Sequence, residues 1–303
     1  MFKIPLNLKE KSYYDFLCGR VKVLETYLIE EPLYKDLVKK NFREFVQFLQ
    51  GYPYKNFLIG EDFQSVKDAI IKRKEFEFSD FEKFGLKDFI DVFFRSSAYF
   101  LLTKKKDFVS PPSLPGFSEI LTSTHNELFA TSKTYLRPLV IDANYLTFLF
   151  EGALLLRNDF IIDFYRELTE NYIIMILMRN YRFVQDHFLG RSEFDEILRF
   201  LSLHFPYSTF LRKVTDFNEF EEMLRDSKGL YFEKDISSEW TQLLNKTLKK
   251  AFEKGRYLNE GIEPIFVYLL KIDWEAHILQ KLAYALYFGV DPGEITELEF
   301  AYE

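Results

Sequence analysis

The sequence predicts an all-α protein, on three observations. Apolar residues recur at helical spacing through most of the chain, no stretch alternates apolar and polar residues as a half-buried strand does, and turn-forming residues are scarce. Only 12 Gly and 10 Pro stand among 303 residues, too few for the many tight turns of an all-β chain. The first helical pattern runs from Tyr13 through Leu17, Val21, Leu24 and Leu28. Glu31-Pro32 separates it from a second pattern at Leu33, Leu37, Val38, Phe42, Phe45, Val46 and Leu49, because proline suits a first helical turn and not an interior. A hairpin-like block follows over Asp62 to Lys105, with Ser79-Asp80 as the expected N-cap pair at its middle.

Ser110–Gly116 (SPPSLPG) is the clearest break, since three prolines favour an extended connection. Helical patterns return at Ser118–Ala130, Arg137–Leu156 and Asn158–Tyr181. His204-Phe205-Pro206 ends a further helix, and Lys228-Gly229 interrupts the next stretch. The last two patterns cover Ser237–Lys254 and Glu263–Phe288, with Gly289 in the position that favours glycine after a helix. Three stretches combine acidic or amide residues with a dense apolar helix: LKDFIDVFFRSSAYFLLTKK, ELTENYIIMILMRNYRF and KIDWEAHILQKLAYALYFG. Their roughly even spacing suggests three similar helical subdomains, 1-112, 113-206 and 207-303, the last helix packing on the first.

Composition narrows function by exclusion. The chain carries 40 basic and 47 acidic residues, a net −7, so no general nucleic-acid footprint is expected. Hydrophobic residues at 48% and charged residues at 29% match a folded soluble protein rather than a disordered one. Ile173–Met178 and Ile265–Leu270 stand out as apolar runs, far short of the ~20 residues that span a bilayer. No membrane span is therefore expected. Cys18 is the single cysteine, which excludes an internal disulfide and fits a reducing compartment.

Familiar active-site patterns are absent. There is no GxxxxGK[ST], GxGxxG, HExxH or GxSxG, and His125, His187, His204 and His277 show no i, i+4 pair. A terpene-cyclase-like site would need clustered carboxylates for magnesium, but no DDxxD occurs; after Asn158-Asp159, Ile162 and Arg166 replace the expected hydroxyl and acid. No catalytic residue, cofactor or metal is expected. The polar residues singled out are structural. Reading Tyr268, Ile272, Leu279, Leu282 and Leu286 as one seam of the last helix puts Glu275 in an apolar row. A carboxylate there is costly unless paired, and Arg20, in the Leu17/Val21/Leu24 helix, is the expected ion-pair partner. Asn171 falls likewise among Phe164, Leu168, Met175 and Met178.

Two stretches carry a resemblance. Tyr14-Asp15-Phe16-Leu17-Cys18-Gly19-Arg20-Val21-Lys22-Val23-Leu24-Glu25, continuing to Phe48-Leu49, Tyr52 and Tyr54, resembles the opening helix of the C/d family of V-type rotary ATPase coupling proteins. Glu263-Pro264, Tyr268–Ala276 and Tyr287-Phe288-Gly289-Val290 are similar to that family's last long helix, and Glu170-Asn171 to its middle acidic–Asn helix. The chain departs from the family at Ile173 and Ile278, where the family often has Arg, and in its high aromatic content. The resemblance implies a funnel-like pseudo-threefold arrangement of the three units. It also implies a cytoplasmic, non-catalytic coupling role within the V-type ATPase, peripheral to the membrane, with the proteolipid ring and the central shaft as partners. An unrelated helical interaction adaptor is the alternative.

Overall fold

The computed structural model describes residues 11–97, 117–226 and 236–291, together with Ile4, Leu6 and Lys9. The described residues are helical, with no strand among them. The helices are α1 (Lys11–Glu25), α2 (Glu31–Leu37), α3 (Phe42–Gln50), α4 (Phe63–Phe81), a short α5 (Lys87–Ile90), α6 (Phe117–Ala130) and α7 (Arg137–Leu156). They continue with α8 (Asp159–Gln185), α9 (Arg191–His204), α10 (Phe217–Asp226), α11 (Ile236–Gly255) and α12 (Glu263–Phe288). Local chemistry sets several of these ends. Asn41 caps α3 in a reciprocal box, accepting from the Glu44 amide at 3.0 Å while Glu44 accepts from the Asn41 amide at 3.0 Å. Asp62 accepts from the Ser65 amide at the start of α4. Proline sits in the first turn of α2, α7 and α12, and Gly289 closes α12 with φ 69°.

One expected boundary moves. The α4 helix runs through Ser79 and Asp80 without a break, because Asp80 is turned to an ion pair with Arg20 instead of capping a new helix. The chain bends later, in a wide helical turn over Glu82–Leu86, where Gly85 adopts φ 77°, a conformation that costs glycine least. The proline-rich Ser110–Gly116 break and the Lys228-Gly229 interruption lie outside the described residues.

The chain divides into two compact units, not into three consecutive ones. One, the split unit, joins Leu8–Lys87 to Asn245–Glu303; the other, the inner unit, comprises Asp88–Leu244 with Met1–Asn7. In the split unit α12 packs against α4, α1 and α3. Leu17, Val21, Phe45, Leu49, Ile70, Phe78, Phe81, Ile265, Leu269, Leu279 and Leu282 are all buried there. The end of α11 approaches α12 closely: a Cβ on Gly255 would meet Val267 Cγ1 at 2.6 Å. In the inner unit α7, α8 and α9 pack on one another, with α6 against α7 and α10 against α9. Its core gathers Ile173, Leu177, Phe194, Ile197, Leu201, Phe205, Phe217 and Phe220.

The α7 helix is a longer apolar stretch than the two runs that stand out in the sequence. By length and apolarity it is long enough to cross a membrane, with mean hydropathy 1.5 over its most apolar window. Asp142, Asn144 and Glu151 interrupt its apolar run and hide it from a scan for unbroken apolar stretches. Within the protein 61% of that window is buried, as in a core helix.

Candidate functional site

Glu275 lies in the α12 seam, as its spacing predicts, and is 3% exposed. Its partners differ from the expected one. The Glu275 Oε2 accepts from the Ile29 amide at 2.8 Å and the Tyr34 hydroxyl at 3.1 Å, and Oε1 accepts from the Tyr54 hydroxyl at 2.5 Å. Arg20 pairs with Asp80 and lies over the Phe84 ring, so it does not reach the seam. The reason is positional. Arg20 is a half-exposed residue of α1, whereas Tyr34, Ile29 and Tyr54 are core residues that α2, the α1–α2 loop and the turn after α3 turn inward. Asn171 is half-buried on α8, in the inner unit, and is not brought to Glu275.

Burial pushes the Glu275 carboxyl above its ordinary range; the donors from Tyr54, Ile29 and Tyr34 and the attraction of Arg73 offset this only in part. Burial, and then the Glu275 charge, push the Tyr54 hydroxyl well above the usual phenol range.

Next to this cluster lies a buried ion pair that the sequence conceals. Arg73 and Glu77, four residues apart on α4, are 4% and 3% exposed and paired with each other. The Tyr268 hydroxyl donates to the second Glu77 oxygen at 3.0 Å. An Arg and a Glu at this spacing ordinarily form a solvated pair on a helix surface. Here both line a cleft of about 560 Å³ in the split unit. Its other walls are aromatic or apolar: Leu24, Tyr27, Tyr52, Pro53, Phe57 and Phe76, with Gly51, Lys55 and Asn56 beside them. Tyr27 and Phe76 are 49% and 54% exposed.

The inner unit holds a second polar cluster. His204 Nε2 lies 3.1 Å from Glu127 Oε1, and His204 Nδ1 lies 3.1 Å from the Phe200 carbonyl. Asn144 Nδ2 donates to the other Glu127 oxygen at 2.8 Å. Both imidazole nitrogens face acceptors, so the doubly protonated ring is satisfied at both positions. Burial lowers the His204 pKa, but the bond to Glu127, the Phe200 carbonyl and the Glu127 charge outweigh it and leave the group raised. A raised histidine adds stability that is full below its unfolded pKa of ~6.5 and disappears as pH rises through the folded value. Denaturation of the wild type from pH 6 upward should show this loss; His204→Gln should flatten it. An unchanged slope in the variant would remove His204 as the source.

Among the described residues no group of three or more His, Cys, Asp and Glu is placed to hold a metal ion. Cys18 is buried and its thiol donates to the Gly261 carbonyl at 3.3 Å. No protein-family model and no curated protein matches the chain. What the split unit offers chemically is therefore read from its own geometry: a buried polar cluster and, near it, an aromatic cleft.

Proposed function

We propose that the chain is a non-catalytic coupling component of a V-type rotary ATPase, seated in the cytoplasm between the central shaft and the membrane ring of proteolipids. One observation carries the reading. The two stretches that bear the family resemblance, Tyr14–Glu25 and Glu263–Gly289, are the neighbouring helices α1 and α12 of a single unit. Buried aromatics surround the two helices and the Lys271–Glu25 pair at 2.7 Å ties them, a stiff arrangement suited to transmitting torque. In this role the protein binds no nucleotide and moves no ion; the work is mechanical.

The alternative, a helical adaptor unrelated to rotary enzymes, is favoured by one finding: the chain groups into two units with its outer segments combined, not into three consecutive ones. Affinity purification from native membranes separates the two. The coupling role predicts that tagged protein brings down proteolipid and shaft components in fixed proportion. Recovery of the protein alone, from cells whose rotary enzyme is assembled without it, would sink the proposal.

A further inference from the structure

We infer that the groove between α1 and α4 is a docking site for an acidic amphipathic helix of a partner protein. The inference goes beyond the rotary reading and does not depend on it.

Helix α1 carries two apolar rows. Tyr14, Leu17, Cys18 and Val21 face inward and are buried. Tyr13, Phe16, Arg20 and Val23, continued by Tyr27 in the turn after the helix, form a second row. Its members are three and four residues apart in alternation, the spacing of a seam that pairs with another helix. This row is open to solvent, with Phe16 70% and Val23 57% exposed. Ser12, Asp15, Gly19, Lys22 and Thr26 already give α1 a polar side. A helix that met only a core and water would have no use for the second row.

The opposite wall comes from α4. The Phe16 ring lies 6.2 Å from Phe84, just beyond α4; Arg20 pairs with Asp80; Leu24 and Tyr27 share the cleft with Arg73 and Phe76. Rising numbers on α1 meet falling numbers on α4, so the two helices run antiparallel. The outer row thus leads from Phe16 into the cleft at Tyr27 and Phe76. An apolar groove between two helices receives the apolar face of a third. From Tyr13 to Tyr27 it offers length for about four helical turns.

Charge selects the occupant. Inside the groove Arg20 is paired with Asp80 and Arg73 with Glu77. At its edges Lys9 lies 4.0 Å over the Tyr13 ring, Lys55 lines the cleft, and Lys72 and Lys83 share the exposed side of α4 with Phe76. Among the described residues, Glu30 stands exposed in the loop after α1, while Glu275 is buried and met by its own donors. Glu75 and Glu82 fall further round α4, and Asp15 shares the polar side of α1 with Lys22. The rim is therefore basic although the whole chain carries −7. It attracts a helix with acidic flanks and disfavours one with basic flanks. A second copy of the chain fits less well. Antiparallel pairing of two such rows about a two-fold axis would set Arg20, the middle member, against its own copy.

Fluorescence anisotropy of labelled peptides titrated with the full chain tests the site. The probe is a three-heptad helical peptide with Leu at a and d and Glu at e and g; the control carries Lys at e and g. The acidic peptide should bind saturably and about ten-fold more tightly than the control at low salt, the gap narrowing as salt rises. Phe16→Gln/Val23→Gln, at positions exposed enough to leave the melting temperature unchanged, should weaken the acidic peptide about ten-fold. Lys55→Glu/Lys72→Glu should move the preference toward the lysine peptide. Equal or tighter binding of the lysine peptide by the wild type, no saturation by the acidic one, or undiminished binding in the folded Phe16→Gln/Val23→Gln variant would each overturn the proposal. So would two other results. Capture by phosphatidylserine–phosphatidylcholine vesicles without peptide binding would give the face to a lipid surface. A wild-type dimer in sedimentation that the Phe16→Gln/Val23→Gln variant loses would give it to a second copy.

Discussion

Glu275→Ala should destabilise the protein by about 4 kcal/mol in urea denaturation, one of the two largest single-residue effects expected. The substitution removes the acceptor for three donors and leaves a cavity. Each buried donor left unsatisfied costs roughly 1–3 kcal/mol, and truncating a buried side chain of this size adds a cavity term. The Ile29 amide is fixed by the backbone and has no rotamer to escape to, so its loss is the least recoverable. Glu275→Gln separates hydrogen bonding from charge. It keeps the volume and one carbonyl acceptor, so a loss of about 1 kcal/mol is expected. It should also alter the pH profile. The Glu275 carboxyl is raised above its unfolded value, so the stability linked to its protonated form is complete below the ordinary carboxyl range and is lost as pH rises through the folded pKa. That fall should be present in the wild type and absent in the Gln variant. An Ala loss of no more than about 1 kcal/mol would mean that the three donors do not depend on this carboxylate.

Arg73→Met is the second large effect, about 3–5 kcal/mol, because it strands Glu77 in the interior and removes the cation that attracts Glu275. Adding Glu77→Leu should recover most of that loss, since an apolar pair of similar volume dispenses with the desolvation of both charges. Recovery should stop short of wild type, for Glu275 keeps its hydrogen bonds but not its counter-charge. A double-mutant cycle measures the coupling directly. Additive losses in the double variant, with no recovery, would show that the two side chains act separately.

These expectations indicate where sequence reasoning succeeded. Helix ends marked by proline, asparagine and glycine were legible: Arg137–Leu156 and Glu263–Phe288 have the limits their patterns predict. The position of Glu275 in an apolar row was legible too, because a polar residue in a periodic stripe is visible one helix at a time. Its partners were not. Tyr34 and Tyr54 lie 241 and 221 residues away, and a tyrosine that donates to a carboxylate has the same pattern as one that merely packs. A guanidinium is the conspicuous counter-ion in a sequence, which favoured Arg20; the fold gave that residue to Asp80 instead. Arg73 and Glu77 escaped for the opposite reason. Four residues apart on a helix, they have the spacing of ordinary surface charges, and only the approach of Tyr268 from α12 reveals their burial. The cleft draws on α1, α4 and the turn after α3, and no single stretch carries its pattern.

The make-up of the split unit has a consequence for biosynthesis. The Ile29 amide and the Glu275 carboxylate that accepts from it are 246 positions apart. Until α12 has left the ribosome, α1 through α4 have no partner for the face that later meets it. The inner unit, whose helices are consecutive, can condense earlier. Its contacts are local, whereas those that close the split unit must wait for a long loop to be brought together, which slows folding. During that wait an apolar surface rich in phenylalanine is open to solvent, so the nascent chain has its greatest need of chaperones late in translation.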